Sequence, residues 1–390
     1  MTHRFDPADF RVDSDPARAE TLPAHAFTDP EFLEREMETI FSRSWLLVPE
    51  RSAQELRDDP RNLADILAVR GARVPVSVLD RPLFLQRAWE GDELRAFPNA
   101  CTHAWYPLVT GPARGPSIQC AQHGRKFDCD GRFVSQPGFT GSPDFPRDCD
   151  HLKPLPVARW RDQFFTVLGD PSTTFNDLFA PVIDATRLLP SATRRAQPAG
   201  GELREVQGNW KQHAWNYMDR FHVTYIHRAP GGLADALEMS SYRTELMGDV
   251  SLQWAYARDP AHGFDPDLLP ERFRDPQRRV FALWFFVFPG LTLNFYPWGL
   301  SVNAYMPIPE RPDRTAFHWY HFVMDERRYE QRDSIWLNAQ VDAEDVDAMA
   351  QVRRGLRSGF APRGRFSPTE EMGPHWFHRL VSENVFRDHP

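Results

Sequence analysis

Apolar positions along the chain follow two different patterns, and the change between them divides the sequence. Segment 1–27 has no regular apolar period, whereas 30–44 carries apolar residues at helical spacing behind Asp29, a capping residue. We therefore expect an amphipathic helix over 30–44. From about Leu46 the pattern changes to short apolar runs between prolines and turns, which predicts a small β-rich block over roughly 46–165.

The second half of the chain combines longer apolar runs with turns that contain Pro and Gly, as in an antiparallel sheet. A helix-like segment, Gly208–His227, precedes these runs, and another, Asp342–Ser358, follows them. This order predicts an α+β fold in which one curved antiparallel sheet grips a helix. The expected strands are Ser251–Ala257, Val280–Phe288, Leu291–Tyr296, Leu300–Met306 and Thr315–Met324.

The composition is that of a globular protein with a large core. The 390 residues are 41% apolar and include 29 Phe and 12 Trp, enough for two domains. A net charge of -8 argues against a nucleic-acid-binding surface, which needs clustered positive charge. Met1–Asp15 has no apolar core for a signal peptide, and no apolar run is long enough to span a membrane. We expect a soluble, cytoplasmic protein.

Two short motifs in the β-rich block supply four metal-ligating side chains. Cys101-x-His103 is followed, after sixteen residues, by Cys120-x-x-His123. A zinc site is the alternative, but structural zinc sites more usually pair two Cys-x-x-Cys motifs. In a Rieske [2Fe–2S] centre two His replace two Cys on one iron, so we expect Cys101 and Cys120 on one iron and His103 and His123 on the other. Two further cysteines lack such partners and are expected to be small buried side chains: Cys129 and Cys149.

A second constellation lies about 100 residues downstream, in the other predicted domain. His222 and His227, together with one carboxylate, would leave open positions on a metal, as in non-haem Fe(II) oxygenases. Their spacing of five places them about 140° apart on an ideal helix, so both reach one metal only if the helix bends or ends between them. The β-branched residues Val223 and Thr224 are compatible with such a distortion.

The third ligand must come from elsewhere, and an acidic segment offers Asp342, Glu344 and Asp345. Acidic residues also cluster at helix N-termini for dipole reasons alone. Asp219 lies three residues before His222 and hence on the same face of the predicted helix. By its residue type it could equally be a solvated or capping acid.

The two motifs together resemble those of the α subunits of Rieske non-haem iron oxygenases, the aromatic-ring-hydroxylating oxygenases, and the resemblance covers nearly the whole chain. Glu344-Asp345 and the following Gln351–Ser358 are similar to a family stretch in which the Asp binds iron, so the resemblance selects Asp345. The chain departs from the family beside the cluster ligands. It has Ala104-Trp105 where the family usually has Arg-Gly, and Ala121-Gln122 where the family usually has Pro-Tyr.

The resemblance also implies roles for two polar side chains in Gly208–His227. Asp219 would hydrogen-bond the iron-bound His222 and link it to His123 of the partner subunit. Asn216 resembles a family Asn that lies close to the iron. His213 by itself is expected to be a hydrogen-bonded structural histidine.

The resemblance implies three segments. An N-terminal segment and helix over 1–45 would pack on the catalytic domain, a Rieske [2Fe–2S] domain would occupy 46–165, and a helix-grip (START/SRPBCC-like) domain with mononuclear Fe(II) would occupy 166–390. The chain has neither a G-x-G-x-x-G loop nor a four-Cys ferredoxin pattern. We therefore expect a separate NAD(P)H-dependent reductase, with or without a ferredoxin, and a head-to-tail homotrimer that pairs one subunit's cluster with its neighbour's iron.

The residues leave the substrate open. A sheet rich in Phe and Trp predicts an apolar pocket, so we expect mono- or dioxygenation of a small aromatic or apolar compound, as in aromatic hydrocarbon catabolism, although a packed core has the same composition. The alternative is hydroxylation or N-demethylation of a quaternary ammonium or N-methylated amine in an aromatic cage, because the tail, from Gly364–Pro368 through His375–His378, resembles monooxygenases of choline-like compounds. An alternative from another class is an electron carrier or binding protein with a degenerate iron site.

Overall fold

The computed structural model describes residues 5–196 and 203–387, and the chain divides into two compact units. Phe41–Ser172 form one unit, and Met1–Ile40 with Thr173–Pro390 form the other. The sequence placed these boundaries at 45/46 and 165/166. The first four residues of the predicted N-terminal segment lie outside the described residues. Among the described helices, none has the length and hydropathy needed to cross a bilayer.

The secondary structure is dominated by short strands in the first unit and long strands in the second. The strands are β1 (Leu46–Leu47), β2 (Ala72–Val78), β3 (Arg81–Arg87), β4 (Leu94–Pro98), β5 (Ala113–Arg114), β6 (Ser117–Gln119), β7 (Lys126–Asp128), β8 (Phe133–Ser135), β9 (Val157–Trp160), β10 (Gln163–Thr166), β11 (Arg194–Ala196), β12 (Leu203–Gln207), β13 (Arg243–Met247), β14 (Val250–Tyr256), β15 (Val280–Val287), β16 (Leu291–Tyr296), β17 (Gly299–Ile308) and β18 (Arg311–Val323). The α-helices are α1 (His25–Thr28), α2 (Pro30–Thr39), α3 (Ala53–Asp58), α4 (Leu63–Leu67), α5 (Phe175–Thr186), α6 (Trp210–Met218), α7 (Val223–Ile226), α8 (Leu233–Ala236), α9 (Glu326–Glu330), α10 (Arg332–Ile335), α11 (Asn338–Leu356) and α12 (Met372–Val385).

Three small antiparallel sheets build the unit Phe41–Ser172, with strand orders β4-β3-β2-β5, β6-β7-β8 and β1-β10-β9. Phe84, Phe97 and Phe127 from these sheets pack in one buried cluster that also contains Cys101 and Cys120. The two cysteines are therefore fixed by the core of the unit, because both their side chains contribute to it.

One antiparallel sheet forms the centre of the larger unit. Its strand order is β11-β18-β17-β16-β15-β14-β13, and β12 also pairs with β18. Every residue of β15 is buried, which explains its unbroken apolar run. The helix α6 packs against β15, β17 and β18, and α12 packs against α6. The predicted combination of a small β-rich domain with a sheet-and-helix domain is confirmed.

The five strands predicted in the second half correspond to β14 to β18, and most of their ends lie within one or two residues of the expected positions. The predicted helix 30–44 is too long, because α2 ends at Thr39 and Phe41–Arg43 form a 3-10 turn. The segment before it also contains two short helical turns, Pro7–Phe10 and α1. The sequence did not predict the strand β13, because none of its residues is buried and it therefore has no apolar pattern.

A buried ion pair fastens the N-terminal helix α2 to α6. Lys211 and Glu36 are both fully buried, and Lys211 Nζ lies 2.7 Å from Glu36 Oε1. Trp210 Nε1 donates a second hydrogen bond to the same carboxylate at 2.9 Å. Burial raises the pKa of Glu36 and lowers the pKa of Lys211, and their mutual attraction opposes both shifts. The pair ties α2 to the helix that leads into the candidate iron site.

Candidate metal centres and active site

Two loops with the same backbone hydrogen bonds present the Cys/His motifs. In the first loop the Cys101 N–H donates to the Tyr106 carbonyl oxygen at 2.9 Å, and in the second the Cys120 N–H donates to the Arg125 carbonyl oxygen at 2.8 Å. In each loop the N–H four residues after the cysteine donates back to the cysteine carbonyl oxygen, at 2.9 Å and 3.0 Å. Both cysteines are therefore held at corresponding points of matching turns.

The fourth residue after each cysteine adopts a left-handed backbone conformation. Gly124 has φ +73° in the second loop, and Trp105 has φ +59° in the first. Glycine takes this conformation without strain, whereas an L side chain there costs about 1–2 kcal/mol. Trp105 is also 82% exposed, so burial does not offset that cost. The departure of this loop from the family pattern therefore carries backbone strain.

The four predicted cluster ligands lie together. The rings of His103 and His123 are 4.8 Å apart, and Cys101 and Cys120 are 1% and 2% exposed. Burial raises the pKa of the Cys101 thiol, and the nearby Cys120 raises it further. No hydrogen bond from the described residues occupies the buried His103 Nδ1, so this nitrogen is open to a metal. Two thiols and two imidazoles in this arrangement fit a Rieske cluster.

The other two cysteines differ from each other. Cys129 is 6% exposed, and its Sγ donates to the Gly115 carbonyl oxygen at 3.3 Å. Cys149 is exposed, so the expectation that it is buried is wrong. It lies in the 3-10 turn Asp148–Asp150, in which Asp150 takes the buried position and Cys149 faces outward.

The predicted helix Gly208–His227 is in fact two helices. The helix α6 ends before Asp219, which has extended backbone (φ -88°, ψ 100°), because its carboxylate accepts the Phe221 N–H at 2.7 Å. The short helix α7 follows, with His222 immediately before it and His227 immediately after it. Val223 and Thr224 lie inside α7, and this helix ends at Ile226, between the two histidines.

Three donor atoms converge after this break. His222 Nε2 lies 3.2 Å from His227 Nε2, and Asp345 Oδ1 lies 3.5 Å and 3.2 Å from these two nitrogens. All three ligand atoms lie within 4.8 Å of one another. Two imidazoles and one carboxylate on one face of a metal leave open positions, which fits a non-haem iron site.

The ring nitrogens that point away from this centre also face carboxylates. His227 Nδ1 lies 2.6 Å from Glu344 Oε2, and His222 Nδ1 lies 3.7 Å from Asp219 Oδ2. Asp219 and His222 are near each other because of the turn, so the expectation that they share a helical face is wrong. Glu344 is within hydrogen-bond distance and so fixes the orientation of the His227 ring, whereas His222 Nδ1 has no hydrogen-bond partner among the described residues.

The acidic segment lies inside α11, not at its start. The helix begins at Asn338 and has no acidic residue in its first turn, so the predicted start at Asp342 is wrong and the dipole explanation does not apply. Asp342 pairs with Arg204 at 2.8 Å. Glu344 contacts the far side of His227, and Asp345 alone of the three carboxylates joins the metal-ligand group.

Asn216 orients the third candidate ligand. Its Nδ2 donates to Asp345 Oδ1 at 2.8 Å, across from α6 to α11. His213, one turn earlier on α6, lies outside the ligand group, with Nε2 2.9 Å from the Gln207 carbonyl oxygen and its ring stacked on Tyr305. Burial lowers the pKa of His213 to about 4, so it stays neutral.

The electrostatics of the group favour a bound cation. Burial by itself lowers the pKa of His222, but the carboxylates of Asp219 and Asp345 outweigh it and raise the pKa to about 9. Burial raises the pKa of Asp345, but the two imidazoles more than offset this and lower it below its usual range. Positive charge is therefore stabilised where the three donor atoms meet, and a metal would displace protons there.

A cavity of about 120 Å³ opens on His222, His227 and Asp345. Its charged lining is acidic, since Asp219, Asp342 and Asp345 reach it and no Lys or Arg is among the described residues that line it. Strands β15 to β18 contribute five of the eight aromatic side chains that line it, which the sequence did not distinguish from core. The aromatic lining residues are Tyr217, Tyr242, Trp284, Tyr296, Tyr305, Phe317, Trp319 and Trp336.

Both parts of the chain match known protein families. Residues 191–386 match the ring-hydroxylating alpha subunit (catalytic domain) family, and residues 62–146 match the Rieske [2Fe-2S] domain family. The chain is 26% identical to the chloroplastic choline monooxygenase of Arabidopsis thaliana, over 94% of this chain and 83% of that protein. It is 25% identical to the carnitine monooxygenase oxygenase subunit of Acinetobacter pittii, over 97% and 98%.

Among solved structures, the chain is similar to a quaternary ammonium Rieske monooxygenase in complex with its substrate gamma-butyrobetaine. The TM-score is 0.71 at 21% identity, and the match covers 98% of this chain and 100% of the other. At that identity the likeness shows a shared fold.

Proposed function

Because the chain belongs to the ring-hydroxylating α-subunit family of Rieske oxygenases, we propose that this O₂-dependent oxidoreductase oxidises a cationic, N-methylated amine. When bound, the [2Fe–2S] cluster and the mononuclear iron supply electron transfer and O₂ activation. Cys101, His103, Cys120 and His123 would hold the cluster. The mononuclear iron ligands would be His222, His227 and Asp345.

The observation that carries the substrate proposal is the lining of the cavity. A cation gains from aromatic faces and from the nearby carboxylates, and it meets no Lys or Arg among the described lining residues. The rings of Phe317 and Trp319 already interact with a cation, because the Arg204 guanidinium lies 4.9 Å and 5.1 Å from their centroids. That charge is compensated by Asp342 at 2.8 Å.

The names of the relatives point the same way. Choline monooxygenase and carnitine monooxygenase act on quaternary ammonium compounds, so the expected role in aromatic hydrocarbon catabolism is not supported by them. A neutral aromatic substrate is the second candidate, favoured by the aromatic wall of the cavity. It would gain nothing from the negative charge of Asp219, whereas the charge of Asp342 is already compensated by Arg204.

The substrate test compares compounds of the same shape and different charge. The enzyme is purified anaerobically, loaded with iron and supplied with electrons by a surrogate reductase, and O₂ uptake and products are measured. We expect turnover of choline or another N-methylated cation. The matched control is 3,3-dimethylbutan-1-ol, which replaces the cationic nitrogen of choline by carbon. Equal turnover of this neutral analogue, or turnover of aromatic hydrocarbons alone, would overturn the proposal.

Two zwitterions refine the substrate class. L-Carnitine and gamma-butyrobetaine add a carboxylate to the trimethylammonium group, and the described cavity lining offers this carboxylate no Lys or Arg. We therefore expect both compounds to be poorer substrates than choline. Equal or better turnover of the zwitterions would show that the carboxylate is bound by groups other than the cavity wall.

We also propose a head-to-tail homotrimer that receives electrons from a separate NAD(P)H-dependent reductase, directly or through a ferredoxin. Exposed aromatic side chains flank both metal sites: Trp105 and Tyr106 beside His103, and Phe221 and Tyr225 beside His222. Such surfaces are typical of protein interfaces. Light scattering on the purified enzyme gives the number of subunits, and a monomer would rule out the pairing of Asp219 with His123 of the partner subunit.

Iron quantitation separates the enzyme from the carrier or binding-protein alternative. About three irons and two labile sulfides per chain are expected for the enzyme, and about two irons for a carrier that lacks the mononuclear site.

A further inference from the structure

The side chain of Arg125 is 2% exposed, although it directly follows the second cluster loop. Its guanidinium makes three hydrogen bonds. Nη1 donates to Thr102 Oγ1 at 2.8 Å and to Asp150 Oδ1 at 3.0 Å, and Nε donates to Gln136 Oε1 at 2.8 Å. A buried arginine with a carboxylate partner is compensated in charge, so it is tolerated in the core.

These partners reach both ligand loops. Thr102 stands between Cys101 and His103, and its hydroxyl also donates to the Asp150 carbonyl oxygen at 2.9 Å. Gln136 Nε2 donates to the carbonyl oxygen of His123 at 3.1 Å. The Arg125 guanidinium therefore hydrogen-bonds directly to Thr102 in the first loop, and Gln136 connects it to His123 in the second.

Aromatic rings add a third connection. The guanidinium carbon of Arg125 lies 5.4 Å, 5.6 Å and 5.5 Å from the ring centroids of Phe133, Phe139 and Phe145. Phe139 in turn meets the His103 ring edge-to-face, with centroids 5.4 Å apart at 89°. The side chain thus also contacts a ring that packs against one of the proposed imidazole ligands.

We propose that Arg125 is a positioning residue that locks the two cluster loops together and thereby tunes the cluster held by His103 and His123. The planar guanidinium offers five donors in a fixed fork, so it can hold Thr102, Asp150 and Gln136 at once, which a lysine ammonium cannot do in the same plane. Groups that orient metal ligands also set the potential of the metal. The inference rests on the proposed cluster ligands and is independent of the proposed substrate.

The test uses three variants that separate geometry from charge, studied in the iron-loaded full chain. Arg125→Lys keeps the charge and loses the fork. Arg125→Gln with Asp150→Asn removes both charges of the pair, so no unpaired carboxylate remains. Thr102→Val removes one bond of the network and keeps Arg125.

The matched control is Arg51→Lys. Arg51 is 6% exposed and belongs to the same unit. Its guanidinium donates hydrogen bonds to the carbonyl oxygens of Glu55, Asp59 and Arg61, which are distant in sequence from the cluster loops.

The readouts are the EPR spectrum of the reduced cluster, its reduction potential and the rate of iron loss to a chelator. We expect the Arg125→Lys and double variants to show shifted or broadened g values and an at least tenfold change in the oxidised-to-reduced equilibrium, about 59 mV for one electron. Thr102→Val should show a smaller shift in the same readouts, and Arg51→Lys none. Iron loss should be fastest in the two Arg125 variants.

Wild-type g values and potential in both Arg125 variants would overturn the proposal. If those variants fail to fold, Thr102→Val decides alone, and an unchanged spectrum and potential in it would equally overturn the role of Arg125. The absence of any Rieske signal in the wild-type protein would instead refute the proposed cluster ligands, so the two failures are distinguishable.

Discussion

The two metal sites of this chain are built in opposite ways. The cluster site draws all four proposed ligands from two neighbouring loops with the same backbone form, and its His123 is exposed. The candidate iron site takes two proposed histidine ligands from the ends of one short helix and a proposed carboxylate ligand from a helix more than a hundred residues later in the chain. A site made from local turns is visible as a sequence motif, whereas a site completed across the fold is only half visible.

The largest expected effect comes from removing the remote ligand. Asp345→Ala should abolish mononuclear iron binding and substrate oxidation while the cluster spectrum persists, because the two sites share no ligand. Iron quantitation with EPR measures both. His222→Ala should behave in the same way. Normal iron content in Asp345→Ala would move the ligand role to Glu344 or Asp342.

Asp219 tests whether the two sites work as a pair between subunits. Asp219→Ala should keep both metals and slow single-turnover oxidation of the pre-reduced cluster by about 10- to 100-fold or more, the range for groups that orient metal ligands. Rapid-mixing absorbance of the cluster follows this step. The bridging role is refuted if oxidation proceeds at the wild-type rate. Asp235→Ala, which removes a carboxylate from α8 in the same unit, is the control for loss of one negative charge.

Substitutions of Glu344 test whether its carboxylate orients the proposed iron ligand His227. Its carboxylate lies 2.6 Å from His227 Nδ1, so Glu344→Ala should weaken iron binding by about 10- to 100-fold. Glu344→Gln, which keeps an acceptor and loses the charge, should fall between Glu344→Ala and the wild type. Iron titration of the metal-free enzyme gives the affinities. Wild-type affinity in both variants would show that His227 is held by packing alone.

The smallest effect concerns the strained turn of the first cluster loop. Trp105→Gly should relieve about 1–2 kcal/mol of left-handed strain, against about 0.4–1 kcal/mol of added chain entropy, for a net gain of about 0–1.6 kcal/mol. Gly124→Ala at the matching position should lose about 1–2 kcal/mol. Thermal unfolding measures both. A loss of stability in Trp105→Gly would mean that the indole makes contacts worth more than the strain.

Several parts of the fold could be read from the chain itself. The strand ends of β15 and β16 were predicted to within a residue, because continuous apolar runs bounded by turns mark buried strands. The end of the helix predicted over Gly208–His227 was not predicted correctly. The Asp219 carboxylate accepts the Phe221 N–H and so ends the helix, and a side chain that competes for a backbone hydrogen bond leaves no periodic signal in the sequence. The strand β13 was not predicted either, because none of its residues is buried and it therefore has no alternating apolar pattern.

Residue type and spacing were enough to propose the Cys/His and His/His ligand pairs, because metals require particular donors at short range. Residue type left three acids open, and only the family resemblance selected Asp345. The fold brings Asp345 to His222 and His227, because that face of α11 meets α7. The aromatic residues of the cavity wall could not be told from core residues in the sequence, because only the folded sheet places them around one cavity. The chemistry of the donors is a local property of the sequence, whereas the distances between donors from separate elements are set by packing.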